Sequence, residues 1–324
     1  MYLDFYHLLE YPFSLAADPR FLYFSPGHKE AMAGMLYCLR ERKGVALLLG
    51  EPGTGKTTLL AAVGEMLPGG VLAQSLDTPL HATPAECLAA INAGFGLAST
   101  EAGLSGLHAR LRAFLLQRHA EGECVLLLID EAQDLNPLVL EQVRLLTNLE
   151  VGGHKLLQII LSGQPELAAH LRTSNGRALH QRIAVRCHLE PLNRAETAAY
   201  LAARLVHAGC DRALFDEPAV ERIQQLSQGV PRVINVIADH GLLAGYAAQQ
   251  ATVTRALIER VARQLDLAPA APAAPTLVPP APTPAAPAAP AAAASAAPAP
   301  RPAALHRFAS GWARWAGLPA GNGK

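Results

Sequence analysis

Eight consecutive residues, Gly50-Glu51-Pro52-Gly53-Thr54-Gly55-Lys56-Thr57, have the types and spacing needed to hold phosphate groups. The pattern is G-x-x-x-x-G-K-[ST]. Its glycines let backbone N–H groups turn inward and cradle phosphate oxygens at the start of a helix. Lys56 would place its ammonium on the β- and γ-phosphates, and the Thr57 hydroxyl would ligate Mg²⁺. Thr58 continues the loop into that helix and is counted with the nucleotide contacts. A second string, Val125-Leu126-Leu127-Leu128-Ile129-Asp130-Glu131, is an apolar run ending in two carboxylates. Asp130 leaves it where Mg²⁺ or a magnesium-bound water would sit, and Glu131 is placed to polarise an attacking water. Two adjacent acids argue for hydrolysis. The expected ligand is a nucleoside triphosphate, ATP, with Mg²⁺.

Such chemistry needs a parallel sheet to aim it, and the hydrophobic pattern supplies one. Residues 45–49 read as the strand before the glycine loop and 57–66 as the helix after it. Strands are also expected over 71–75, 124–129, 156–161 and 183–189, and helices over 85–93, 104–118 and 138–149. From Pro191 onward the strand signals stop. Residues 194–208, 217–227, 231–248 and 253–265 all read as helices. The fold class is therefore α/β, a P-loop NTPase sheet with a small all-α lid behind it. A strand between the two motifs, with a glutamate beside the aspartate, belongs to the additional-strand class. The helical domain that follows points within it to AAA+ proteins.

Three further positions fit that class. The strand over 156–161 runs into Ser162-Gly163-Gln164, where Gln164 or Ser162 could act as a polar sensor of the γ-phosphate. Arg182 precedes the last strand, where an arginine can reach a neighbouring subunit's γ-phosphate; Arg177 and Arg186 compete for that role. Gly229-Val230-Pro231-Arg232 opens a lid helix. Pro231 suits its first turn, and Arg232 could reach back to the nucleotide. An arginine acting in trans implies a homo-oligomer.

The 27 basic and 27 acidic residues balance, so no chain-wide field draws in nucleic acid. The five cysteines are scattered without a C-x-x-C pair, which argues against a disulfide framework or a zinc site and for a reducing compartment. No secretory signal or membrane-spanning run stands out, and the expectation is a cytoplasmic protein. The composition divides the chain into 1–44, a core over 45–190, a lid over 191–266, an Ala/Pro-rich disordered linker over 267–302 and a short tail over 303–324. In the tail Leu305, Phe308, Trp312 and Trp315 share one helical face, and Arg301, Arg307, Arg314 and Lys324 add positive charge. Such a basic amphipathic segment could dock peripherally on an inner membrane or on a partner.

Residues 1 to about 265 resemble the general secretion pathway protein A (ExeA-like) family of AAA+ ATPases. The matching blocks are Met1-Tyr2-Leu3-Asp4-Phe5-Tyr6, Tyr11-Pro12-Phe13, Asp18-Pro19-Arg20-Phe21-Leu22-Tyr23, the glycine loop and Asp130-Glu131-Ala132-Gln133. Ser162-Gly163-Gln164-Pro165-Glu166-Leu167 and Gly229-Val230-Pro231-Arg232-Val233-Ile234-Asn235 complete them. The resemblance implies an ATPase that assembles or energises a cell-envelope machine for secretion, pilus biogenesis or exopolysaccharide export. The secretion member is expected to continue into a membrane helix and a peptidoglycan-binding domain; this sequence has the Ala/Pro run and the tail instead. The alternative reading is a DNA-associated ATPase of the transposition type, although no basic stripe or helix-turn-helix pattern stands out.

Overall fold

The computed structural model describes residues 1–76, 83–97, 103–173 and 176–267. In chain order they form α1 (Tyr2–Tyr6), α2 (Pro26–Arg40), β1 (Val45–Gly50), α3 (Lys56–Glu65) and β2 (Val71–Leu76). Next come α4 (Pro84–Gly94), α5 (Leu104–Ala120), β3 (Cys124–Ile129), α6 (Pro137–Leu146), β4 (Glu150–Val151) and β5 (His154–Lys155). Then follow β6 (Leu157–Gly163), α7 (Pro165–Arg172), α8 (Arg177–His180) and β7 (Ile183–Leu189). The helices α9 (Arg194–His207), α10 (Glu217–Ser227), α11 (Pro231–Ala247) and α12 (Arg255–Gln264) close the described chain.

Five strands pair in parallel in the order β2-β3-β6-β1-β7. The strand carrying the acids is thus separated from the glycine-loop strand by β6, while β2, the strand expected over 71–75, lies beyond the acid-bearing strand at the edge of the sheet. Apolar residues cover both faces of β1, β3 and β6, as burial between two helical layers requires. One layer packs Leu88, Ile91, Leu111, Leu115, Val139 and Val143 against the odd-numbered residues of β1, β3 and β6. Because the strands are parallel, Gly50, Ile129 and Gly163 end along one edge, where a doubly wound sheet places its ligands.

Helices α1, α2, α7 and α8 were not expected, and the elements that were expected differ from the sequence pattern chiefly at two places. The helix expected over 138–149 stops at Leu146, because Gly152 and Gly153, both with positive φ, turn a short β4–β5 hairpin before β6. The strand expected over 156–161 instead spans Leu157–Gly163, so Ser162 belongs to the sheet.

The second cluster of buried residues belongs to α9–α12 and includes the start of the chain. Tyr2, Tyr6, Leu8 and Phe13 are buried among Leu201, Leu205, Ile223, Ile237 and Ile258. The first residues therefore pack on the helices that follow the sheet, while α2 lies against β1 and β7. Helix starts are set locally: Ser25, Asn136, Asn193 and Asp216 each accept a hydrogen bond from an N–H in the first turn of α2, α6, α9 and α10. The five cysteines are free, and burial pushes the Cys38 thiol up to about 12 and that of Cys87 to about 11, which leaves them unreactive. Among the described residues no helix is long and apolar enough to cross a membrane. The tail over 303–324, and the linker apart from Leu267, lie outside the described residues.

Candidate functional site

The loop after β1 turns on glycines. Gly53 has φ +82° and Gly55 φ +99°, backbone that residues with a Cβ adopt only under strain. Gly53 also has no room for a side chain, since a Cβ there would stand 2.7 Å from the Arg232 Cβ. Gly55 leads directly into α3 at Lys56. The cradle is closed by Thr54, whose hydroxyl donates to the Glu51 carbonyl at 2.8 Å. Lys56 is only 4% exposed, and its ammonium donates to the carbonyls of Gly50 (2.9 Å) and Glu51 (3.2 Å). The positive group and the amide-rich turn are thus in place at the N-terminal end of α3, where the helix dipole favours anions.

The carboxylates converge on this loop from β3. The Thr57 hydroxyl donates to Asp130 Oδ2 at 2.6 Å, across 73 residues of sequence. Asp130 Oδ1 accepts the Glu131 N–H at 2.9 Å. Glu131 has a left-handed backbone, φ 48°, an unusual conformation for a residue with a Cβ and one that recurs at functional positions. Its carboxylate accepts a bond from Gln133 Nε2 at 2.7 Å, and Gln164 Nε2 stands 3.5 Å away. Gln133 in turn accepts the Gln164 N–H at 3.0 Å, so one amide side chain ties the end of β6 to the acid. The sequence singled out Glu131 and Gln164 but not Gln133, which joins them. Ser162 is fully buried on β6, and its hydroxyl finds no hydrogen-bond partner among the described residues.

Arg232 and Arg182 have different fates. The Arg232 N–H donates to the Gly53 carbonyl at 3.2 Å, which brings the first turn of α11 onto the phosphate loop. Arg182 stands just before β7, whose first residue Ile183 pairs with Val45, the first residue of β1. It is therefore at the edge of the sheet opposite Gly50, and its guanidinium donates to Thr147 Oγ1 at 3.0 Å and to Asn148 Oδ1. It does not join the other candidates within one chain. Of its competitors, Arg177 is exposed and Arg186 donates to the His180 carbonyl at 3.1 Å.

A cleft of about 280 Å³ connects these parts, with Leu22, Tyr23, Lys56, Glu131, Tyr200 and Arg232 among its walls. One wall was invisible in the spacing of motifs: residues 14–23. A buried arginine, Arg204 of α9, holds that wall. Its guanidinium donates to the carbonyls of Pro12 (2.5 Å), Ser14 (3.1 Å) and Phe21 (3.3 Å), and lies 4.6 Å over the Phe21 ring. Burial lowers its pKa, but a guanidinium stays charged throughout. The second unforeseen residue is His28, at the first turn of α2, whose ring reaches the phosphate loop. Among the described residues no cluster of three or more His, Cys, Asp or Glu could hold a metal. A Mg²⁺ shared with phosphate oxygens needs no such cage, and the Thr57–Asp130 pair beside the amide cradle fits that kind of site.

Residues 39–171 match the family described as an AAA domain. The chain is 45% identical over 249 residues to general secretion pathway protein A of Aeromonas hydrophila, an alignment covering 76% of this chain and 45% of that protein. It carries an AAA module of the general secretion pathway protein A kind. The chain spans less than half the length of that relative. Among solved structures, Cdc6p of Pyrobaculum aerophilum is similar with a TM-score of 0.62 at 16% identity, over 78% of this chain and 70% of that one. The ORC1 protein of Aeropyrum pernix, solved in complex with DNA, has a TM-score of 0.55 at 18% identity, over 74% and 66% of the two chains. At those identities the likeness concerns the fold: a P-loop NTPase parallel sheet followed by helices. The AAA match ends at residue 171, so Arg182, Arg204 and Arg232 lie beyond it.

Proposed function

We propose that the chain binds and hydrolyses ATP with Mg²⁺ in this cleft and drives the assembly or operation of a cell-envelope export system. The observation that carries the chemistry is the 2.6 Å bond between Thr57 and Asp130, with Glu131 next in the chain and Lys56 next to Thr57. Two motifs 73 residues apart in sequence meet at the head of one helix. The amides of 53–57 and Lys56 hold the β- and γ-phosphates. Thr57 and Asp130 hold Mg²⁺, which when bound neutralises phosphate charge. Glu131 accepts a proton from the attacking water, and Gln133 and Gln164 fix where its carboxylate points. Residues 14–23 enclose the base and ribose side of the cleft, with Arg204 holding them to the lid. Arg232, whose backbone already touches Gly53, reports nucleotide state to α11. Arg182, at the far edge of the sheet, serves the neighbouring copy of a homo-oligomer.

The export role rests on the 45% identity to general secretion pathway protein A. Contact with the inner membrane through residues 303–324, from a cytoplasmic position, belongs to the same proposal. A single-turnover assay tests the chemistry. Glu131→Gln should bind ATP as the wild type does and retain it uncleaved; cleavage at the wild-type rate would remove Glu131 from its role.

A further inference from the structure

His28 is 3% exposed and sits between two oxygens. Its Nε2 is 3.2 Å from the Thr54 carbonyl, and its Nδ1 is 2.7 Å from Ser25 Oγ. A carbonyl can only accept, so Nε2 carries the proton. Burial holds the imidazole pKa below its ordinary value, partly opposed by the bond to the Thr54 carbonyl and by Glu196, so the ring is neutral and Nδ1 is an acceptor. Ser25 Oγ then donates to Nδ1 while it accepts the His28 N–H at 3.3 Å. Both ring nitrogens and the Ser25 hydroxyl are thereby satisfied, and the ring cannot flip without breaking both of its bonds.

The consequence falls on the phosphate loop. Thr54 C=O and Gly55 N–H belong to one planar trans peptide, and in such a unit the two groups point in opposite directions. A hydrogen bond that pulls the Thr54 oxygen toward α2 therefore turns the Gly55 N–H toward the other side, into the cradle. A flip of that peptide would put a carbonyl oxygen where phosphate oxygens must lie, and like partial charges would oppose binding. Gly55 has no Cβ to block the flip and, at φ +99°, no strong preference against it. The ring also closes the space behind: a Cβ at Gly55 would stand 3.1 Å from His28 Nε2.

We propose that His28 is a positioning residue of the nucleotide site, which, through the Thr54 carbonyl, holds the Gly55 amide aimed at phosphate. The role rests on the reading of the loop as a phosphate cradle. Ser25 acts one step behind it by fixing the tautomer.

The test compares His28→Leu, His28→Gln and Ser25→Ala in the full chain, with ATP and ADP affinities from calorimetry and melting temperatures without nucleotide. Leucine keeps the volume and removes the donor. Glutamine carries an N–H three bonds from Cβ, as Nε2 is, and restores it. Losing the bond should weaken ATP and ADP alike by about ten-fold in His28→Leu, the factor that one well-placed hydrogen bond commands. His28→Gln should recover most of that factor, and Ser25→Ala should fall between. Wild-type ATP affinity in His28→Leu, or a His28→Gln protein as weak as His28→Leu at equal melting temperature, overturns the inference. Failure of the wild-type chain to bind either nucleotide would instead overturn the reading of the site itself.

Discussion

Arg204→Met would test whether the wall of the cleft depends on the lid. Arg204 is 7% exposed, and its guanidinium bonds three carbonyls contributed by residues 12, 14 and 21. Methionine keeps much of the contact with Phe21 but offers no donor. The bonds to Pro12 and Phe21 are buried, while that to Ser14 is only partly so and can be replaced by water. A hydrogen bond from a charged donor is worth about 1.5–3 kcal/mol, and removing the donor strands its buried acceptors. Two such losses, discounted for relaxation, give about 3–4 kcal/mol. For a domain of this size that is a fall of roughly 6–16 °C in melting temperature. Arg204→Lys keeps the charge without the fork and should recover less than half. Because Leu22 and Tyr23 line the cleft, ATP should stabilise the Arg204→Met protein less than the wild type. Scanning fluorimetry with and without ATP reads both effects. A shift under about 2 °C together with unchanged ATP stabilisation would refute the idea that Arg204 holds the wall.

Gly53→Ala should cost about 1–2 kcal/mol from its left-handed backbone and push α11 off the loop, so calorimetry should report weaker ATP binding. Thr57→Val removes the hydroxyl that faces Asp130; the Mg²⁺ concentration for half-maximal ATPase should rise by about ten-fold or more, read by Mg²⁺ titration. For His28, whose folded pKa lies below the ordinary one, the unfolded chain binds the extra proton more readily. Its contribution to stability is present above the unfolded pKa and is lost as pH falls from there through the folded value. Melting temperature should therefore drop more steeply below about pH 6.5 in the wild type than in His28→Gln.

The parts of the candidate site were legible where they are local in sequence. The glycine loop and the Asp130-Glu131 pair are contiguous strings, and the apolar runs before them are strands because both faces of the sheet are covered. The inserted strand and the four lid helices followed from period and length. The hairpin at 150–155 was hidden because its strands are two residues each and fall in the gap between the helix expected over 138–149 and the strand expected over 156–161. The wall over 14–23 and the roles of Arg204 and His28 were hidden for a different reason. Each depends on a side chain bonding to backbone carbonyls far away in sequence, up to 192 residues for Arg204 and 26 for His28. A carbonyl carries no residue identity, so such partners leave no spacing to read. Arg182 was legible as a candidate from its place before the last strand, and its distance from Gly50 within one chain makes its role a question for the assembled protein.

The central claim is that the loop from Gly50 to Thr57 holds the phosphates of ATP. Calorimetric titration of the full chain and of Lys56→Ala with ATP and Mg²⁺ tests it most directly. The account predicts saturable one-to-one binding by the wild type and its loss in Lys56→Ala, while the melting temperature without nucleotide shows that the variant remains folded. A folded Lys56→Ala protein that binds ATP as tightly as the wild type, or a wild-type chain that does not bind ATP, would contradict it.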